Sequence, residues 1–172
     1  MPTDFPFAAS ARTNGAIVVE SDWPYARVCI RMNGVLEESL RNAFPMLYRH
    51  VPGSDFDGHF DCDDGWEFII RRVSARLEPL IVRALVEDGL TNVAALVPNA
   101  KPLVHVRAVG KAFGCLTFFL AGRGISGPML AATAFAEHES LITCEDCGAP
   151  GSLATSGTHQ RTVCKRHVAR LS

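Results

Sequence analysis

Four residues near the end of the sequence have the types and the spacing of a metal site. Cys144 and Cys147 form one Cys-x-x-Cys pair, and Cys164 and His167 form a second pair after sixteen intervening residues. Structural zinc is held by four such sulfur and nitrogen ligands in a tetrahedron. Gly148 directly follows the first pair and permits the positive φ that a metal-binding knuckle needs. The spacing therefore predicts a closed zinc centre formed by these two pairs.

Other interpretations of these residues stay open at the level of sequence. Two of the residues could be a redox dithiol or a disulfide, with the other residues unrelated to it. A lone redox pair, however, does not account for the second pair. A catalytic zinc typically has three protein ligands and an open position, whereas this spacing supplies four ligands. His159 lies between the pairs and could replace His167, although it has no partner at matching spacing. We expect a structural metal.

The second ligand pair is expected on the first turn of a short helix within residues 163–171, because side chains three positions apart share a helix face. A knuckle, a loop and a ligand-bearing helix make a treble-clef or zinc-ribbon-like module, which we assign to residues 142–172. A segment this short and polar cannot bury a core alone. Metal binding should therefore hold it folded.

Composition places the chain among ordinary globular proteins. It has 172 residues, 48% hydrophobic and 20% charged, which predicts one body with a small appendage. A net charge of -1 gives no overall field that would steer it to nucleic acid or a membrane. No apolar run is long enough to span a bilayer and Met1–Ser10 lacks a signal pattern, so we expect a cytoplasmic protein. Cys29, Cys62 and Cys115 are expected to be reduced thiols.

The elements that must position the zinc module are expected in residues 15–141, after a loose arm of residues 1–14. Residues 15–20 and 25–31 are candidate strands, and residues 35–44 have helical spacing that ends before Pro45. The strongest helical periodicity covers residues 66–87, with a kink or break expected at Pro79 and a cap at Gly89.

A hairpin of residues 103–109 and 113–121 is predicted next, with Gly110–Ala112 as its connection. Residues 127–141 then predict a helix with Ser126 as its cap. The fold class is therefore α+β: a small antiparallel sheet or hairpin packed by a long amphipathic helix, with the zinc module at the C-terminus.

Residues 52–65 form an acidic loop with five aspartates and His59. No register matches a calcium-binding EF-hand loop, so we expect a solvated loop in which Asp63 or Asp64 caps the following helix. An enzyme would need this loop and His59, or His105 with Lys111, to converge in one pocket. A half-exposed position on the hairpin is the simpler expectation for His105.

Two further patterns have competing explanations. Gly122-x-Gly124-x-x-Gly127 matches a dinucleotide-binding turn, but no parallel strand follows, so a tight strand-to-helix corner is expected. A basic cluster surrounds the second ligand pair and would suit a nucleic-acid-binding zinc module. Its members are Arg161, Lys165, Arg166 and Arg170. Arg71, Arg72, Arg76 and Arg83 of the long helix could also contact phosphates, although solvated arginines are commoner.

Several stretches resemble a family of short bacterial and phage-encoded proteins without an assigned activity. The similar stretches are Phe44–Tyr48, Asp64–Ile70, Phe113–Phe119, Ala136–Ser140, Cys144–Gly151 and Thr162–His167. The resemblance implies zinc, cytoplasmic residence and an origin in a bacterium or mobile element, and it supplies no reaction. The chain departs from the family at Gly110–Ala112, which replace the charged residues at the start of the family's strand, and at Thr117, which replaces an arginine.

These observations predict a non-enzymatic, zinc-containing interaction protein. Its partner would be another protein, such as a phage or host regulatory or defence factor. A nucleic-acid-binding zinc module is the first alternative, and an enzyme using the acidic loop with His59 or His105 is the second.

Overall fold

The structure, a computed structural model, describes residues 11–13, 16–18, 31–51, 54–89, 103–157 and 159–171. Its strands are β1 (Ala11–Thr13), β2 (Ala16–Val18), β3 (His105–Ala112), β4 (Cys115–Ala121), β5 (Ser152–Ser156) and β6 (His159–Val163). Its α-helices are α1 (Gly34–Ala43), α2 (Glu67–Glu87) and α3 (Gly127–Ser140). The strands pair antiparallel as β1–β2, β3–β4 and β5–β6. A mixture of helices and small antiparallel sheets is therefore confirmed.

The N-terminal strands fall partly within the predicted loose arm. Ala11–Thr13 belongs to that arm and pairs with Ala16–Val18, which lies inside the predicted strand 15–20. The predicted strand 25–31 lies outside the described residues except for Arg31.

Helix α1 begins and ends within one residue of the predicted bounds. The side chain of Asn33 accepts the Val35 N–H at 2.9 Å and caps the helix. Glu37 is buried, and its carboxylate accepts the Phe60 N–H at 2.9 Å and lies 3.0 Å from His59 Nδ1. A side chain of α1 thus holds part of the acidic loop in place.

A kink or a break was expected at Pro79, and helix α2 continues through it as a single helix of 21 residues, so the chain does not break there. Its buried face, which includes Ile70, Leu77 and Ile81, belongs to one apolar cluster with side chains of β3, β4 and α3. Helix α3 packs both against α2 and against β4. No α-helix in the described part of the chain is long and apolar enough to cross a membrane.

The arginines of α2 have intramolecular partners. Arg71 Nε donates to Glu67 at 2.7 Å, and Arg83 Nε donates to Glu87 at 2.7 Å. Arg72 pairs with Glu139 of α3, while Arg72 and Arg76 also lie over the Phe135 ring. The guanidinium groups are therefore engaged with the protein's own side chains.

The β3–β4 hairpin turns later than predicted. Phe113 and Gly114 form the two-residue connection, with φ of 51° and 78°, and Ala112 faces Cys115 across it. The expected connection at Gly110–Ala112 is wrong, because these residues continue β3. A two-residue turn with positive φ at both positions matches the natural twist of paired strands, which explains the shorter loop.

His105 is buried rather than half-exposed, with 4% of its surface accessible. Its Nδ1 lies 2.9 Å from the Leu103 carbonyl oxygen, so the ring has a backbone partner. The expectation that it lies on a solvated strand face is wrong, because the residues before β3 fold against the core.

Candidate metal centre

The first ligand pair sits in a tight knuckle that follows α3. The Gly148 N–H donates to the Cys144 carbonyl at 2.9 Å, and the Cys144 N–H donates to the Ala149 carbonyl at 2.7 Å. Gly148 has φ of 72°, as the sequence predicts. These backbone bonds turn the chain so that Cys144 and Cys147 can face one point.

The second ligand pair follows β6 directly. The N–H groups of His167 and Val168 both donate to the Cys164 carbonyl, at 2.9 and 3.0 Å. A short 3₁₀ helix, Val168–Leu171, comes after this turn, so the ligands precede the helical turn and do not lie on it. The β5–β6 hairpin between the two pairs returns Cys164 to the knuckle.

The four predicted ligand atoms converge. Three cysteine sulfurs and one His167 nitrogen lie within 4.8 Å of one another. Cys147 Sγ is 3.8 Å from Cys164 Sγ, and His167 Nδ1 is 3.4 Å from the sulfurs of both Cys144 and Cys164. A tetrahedron with metal–sulfur bonds of about 2.3 Å has sulfur–sulfur edges of about 3.8 Å and slightly shorter sulfur–nitrogen edges. The spacing of the ligand atoms therefore fits a single metal ion.

The ligands differ in access to solvent. Cys144 is fully buried and Cys164 is 7% exposed, whereas Cys147 is exposed. His159 lies in β6, is exposed and is not among the clustered residues. The second pair is thus Cys164 and His167, as the spacing indicates.

The knuckle is docked on the start of α2. The Gly65 N–H donates to the Glu145 carbonyl and Trp66 Nε1 donates to the Thr143 carbonyl, both at 2.8 Å. A Cβ on Gly65 would lie 2.4 Å from the carbonyl oxygens of Cys144 and Glu145. Only glycine allows this approach, and sequence reasoning did not assign Gly65 a role.

The β3–β4 hairpin also contacts the module. Thr162 Oγ1 donates to the Gly114 carbonyl at 2.9 Å, and the Glu145 N–H donates to the Thr162 carbonyl at 2.8 Å. The turn of one hairpin, the last strand of the other and the knuckle are therefore joined by consecutive hydrogen bonds.

A group of charged residues, here the Glu145 network, lies beneath the knuckle. Glu145 is fully buried, accepts from Lys111 Nζ at 2.6 Å and pairs with Arg161 at 3.2 Å. Arg161 also pairs with Asp63 and with Asp146. Burial and the Glu145 carboxylate raise the pKa of Asp63 to about 7, although the Arg161 guanidinium opposes the shift.

The expectation that Asp63 or Asp64 caps the following helix is wrong. Asp63 pairs with Arg161 and caps no helix through its side chain. Asp64 Oδ1 accepts the Asn33 N–H at 2.7 Å and so joins the acidic loop to the start of α1. The sequence did contain one sign of the Glu145 network, a glutamate between the two cysteines of the knuckle. If the knuckle is buried, the carboxylate of that glutamate needs cationic partners.

The predicted basic cluster is divided. Arg161 is directed at three carboxylates, and its side chain is 17% exposed. Lys165 and Arg166 are exposed on the turn between Cys164 and His167. The side chain of Arg170 lies outside the described residues.

The two histidines proposed for an enzyme do not line the cavity beside the metal centre, although Asp63 and Asp64 of the acidic loop do. This cavity of about 320 Å³ is lined by Arg31, Asp63, Asp64, Asp146, Cys147, Arg166 and His167. His59 instead contacts Glu37, and His105 is held by the Leu103 carbonyl. Gly122 and Gly124 have φ of 96° and 86° in the corner between β4 and α3, consistent with the predicted tight turn.

No family model, curated protein or solved structure matches this chain. The resemblance to short bacterial and phage-encoded proteins therefore stays a prediction.

Proposed function

We propose that Cys144, Cys147, Cys164 and His167 bind one Zn²⁺ as a closed structural centre, in a non-enzymatic protein that binds a protein partner. The convergence of the four ligand atoms is the observation that carries the proposal. Three thiolates and one imidazole form a donor set that suits zinc. Four protein ligands leave no coordination position for a substrate.

The metal's role is to cross-link the module. It would join the knuckle to the turn after β6, in a treble-clef-like arrangement of knuckle, hairpin and helical turn. Among the described residues of the module, the buried members of its small apolar cluster are Cys144, Val163 and Cys164, and two of these three are themselves ligands. Burial this limited cannot replace the metal.

The support for a protein partner is an apolar surface at the hairpin turn, here called the hairpin-tip surface (Phe113 and Leu153). Phe113 is 86% exposed and has φ of 51°, a conformation that costs a non-glycine residue about 1 kcal/mol. Leu153 is 47% exposed, and its Cδ1 packs over Gly114. Phe113 therefore stabilises the fold neither by burial nor by backbone preference, which favours a role in binding an apolar pocket on another protein.

Nucleic acid is a weaker candidate for the partner. Arg161 is neutralised by carboxylates, and the net charge of the chain is -1. Lys165 and Arg166 are the exposed members of the predicted basic cluster among the described side chains. The reduced thiols Cys62 and Cys115 are compatible with the cytoplasmic location that we propose.

Elemental analysis tests the metal part of the proposal. Protein purified without chelators should contain one zinc per chain, and the Cys164→Ser variant should contain much less. A wild-type protein without zinc would overturn the proposal.

Affinity purification from the source cells tests the partner. The Phe113→Asn variant suits the turn because asparagine tolerates positive φ, so it should keep the fold and lose the partner. Val35→Asn changes another exposed apolar residue, 75% exposed on α1, and should keep the partner. Equal recovery of a partner with both variants, or binding of nucleic acid in its place, would contradict the assignment.

A further inference from the structure

The metal ligands are not equally protected from chemical attack. Cys147 is exposed and lines the cavity beside the centre, whereas Cys144 is fully buried. Solvent access therefore singles out Cys147 among the three sulfurs.

The cavity contains charged groups of both signs. Arg31 and Arg166 line the same space as Cys147 and His167, together with the carboxylates of Asp63, Asp64 and Asp146. Guanidinium groups near a thiolate stabilise its ionised form and can donate hydrogen bonds to an oxygen that is gaining negative charge. The volume of about 320 Å³ exceeds what a molecule of peroxide needs.

A second thiolate is within reach. Cys164 Sγ lies 3.8 Å from Cys147 Sγ, and Cys164 is only 7% exposed. The two other cysteines of the described body are protected: Cys62 is fully buried, and burial raises its pKa well above the usual value. Burial also raises the pKa of Cys115, which donates to the Ala112 carbonyl.

We infer that Cys147 is a peroxide-modified residue and that its oxidation ejects the metal by forming a disulfide with Cys164. This inference rests on the proposed zinc centre and adds a means of regulating it. The Cys147 thiolate attacks one oxygen of hydrogen peroxide, the O–O bond breaks, and a sulfenic acid and hydroxide form. The Cys164 thiolate then attacks that sulfur and expels a second hydroxide. Two thiolates lose two electrons in total, and one peroxide is reduced to two hydroxide ions.

Loss of two ligands leaves Cys144 and His167, which cannot form a closed site. The four-ligand metal cross-link would be replaced by one disulfide between the knuckle and the turn after β6, and Cys144, whose carbonyl oxygen lies against Gly65, would lose its bond to the metal. Oxidation at one exposed sulfur is thereby coupled to the junction between module and body.

The test uses the full chain loaded with zinc, with Cys29, which lies outside the described residues, replaced by serine in every sample. Less than one equivalent of hydrogen peroxide is added together with dimedone, which traps sulfenic acids, and the labelled cysteine is identified by peptide mass spectrometry. The first adduct should be on Cys147. Without dimedone, zinc release measured with a chromogenic chelator should accompany a Cys147–Cys164 disulfide. A first adduct on Cys144, Cys164 or Cys115 would overturn the inference.

Two variants test the same inference through zinc release. Cys147→His keeps four ligands and removes the exposed sulfur, so peroxide should release zinc at least about tenfold more slowly, a change that follows from removing the attacking thiolate. Arg166→Gln should slow release by a smaller factor, while Cys115→Ser should leave it unchanged. Release from Cys147→His at the wild-type rate would contradict the inference. If wild-type protein holds no zinc at all, the proposed function fails; if it holds zinc that peroxide does not release, only this inference fails.

Discussion

The body and the metal module are stabilised by different means. The body buries a large apolar cluster that includes Trp66, Phe60 and Leu116, all fully inaccessible to solvent. The module has a small cluster whose buried members include two metal ligands. Hydrophobic burial is distributed over many contacts, whereas a metal centre concentrates its stabilisation in four bonds. If the proposed zinc centre holds the module, one chain contains a region that loses stability gradually and a region that is lost in one step.

The junction between the two regions resembles neither of them. It consists of close backbone contacts at Gly65, the Trp66–Thr143 hydrogen bond and the Glu145 network. Buried ion pairs contribute little net stability, but removal of one member leaves an unpaired charge at a large cost. Such a junction determines the orientation in which the module docks on the body. It contributes less to the free energy of the docked state.

Removal of the metal should have the largest effect and should separate the two regions. Structural zinc contributes on the order of 10 kcal/mol or more, which exceeds what the module's own packing can supply. A chelator at neutral pH should abolish amide hydrogen-exchange protection in β5 and β6, while α2 and the β3–β4 hairpin stay protected. Trp66 fluorescence, in a Trp23→Phe background, should shift to the red as the Thr143 contact is lost.

Retained protection in β5 and β6 after removal of the metal would show that the two regions do not differ as described. Simultaneous loss of protection in α2 would show that the body also depends on the metal.

Substitution of Gly65 by alanine should have the next largest effect. The added methyl group would meet backbone atoms of Cys144, Glu145 and Cys147 at 2.4 to 2.5 Å, and backbone cannot move aside cheaply. Overpacking of this kind costs about 1 to 3 kcal/mol, so urea unfolding should detect it and zinc affinity should fall. Gly34→Ala is the matched control, since nothing lies within 4 Å of the added atom there. Equal stability of the two variants would mean that the knuckle does not dock on α2.

The sequence was sufficient for the parts of the molecule that depend on local spacing. The ligand types, the pairs three residues apart and Gly148 define the metal cluster without knowledge of the rest of the chain. The periodicity of α1 and α2, and the cap and early proline of α3, likewise predicted helices close to their observed bounds. The turn at Phe113 and Gly114 was missed because phenylalanine is a rare choice for a position with positive φ.

The junction could not be predicted because its members are far apart in sequence. Arg161 was assigned to a basic cluster by its neighbours along the chain, yet its partners include Asp63, 98 residues away. Gly65 was assigned to the acidic loop and Trp66 to the start of the helix, which begins one residue later, and neither was interpreted as part of a docking surface. Contacts between distant segments leave no periodic signal in either segment.

The Glu145→Gln variant should show a smaller effect that tests the junction directly. The substitution removes the charge that Lys111 and Arg161 share, while it keeps the side-chain shape. Since those cations are partly exposed, 26% and 17%, we expect a loss of about 2 kcal/mol, below the roughly 3 to 5 kcal/mol typical of broken, fully buried pairs. Chemical unfolding of zinc-loaded protein measures it, with Glu87→Gln as control because the Arg83–Glu87 pair is highly exposed. A loss of stability no larger than that of the control would mean that the Glu145 network does not contribute to docking of the module on the body.

The smallest expected effect is a pH dependence that originates at Asp63. Its pKa is about 7 in the folded state, above the value of about 3.9 for an unfolded aspartate. The folded state therefore binds more protons than the unfolded state between these values, and this contribution to stability is lost as the pH rises through the window. For zinc-saturated protein, the loss between about pH 6 and about pH 8 should be about 1 kcal/mol relative to Asp63→Asn.

The comparison with Asp63→Asn is needed because proton competition at the metal ligands has the opposite sign: zinc binding strengthens as the pH rises. Subtracting the stability of the variant from that of the wild type at each pH cancels the metal contribution, which both proteins share. A difference that declines towards high pH would place Asp63 in the crowded negative surroundings of Glu145. A difference that rises instead would mean that the Arg161 pair dominates and that Asp63 stabilises the junction as an ordinary salt bridge.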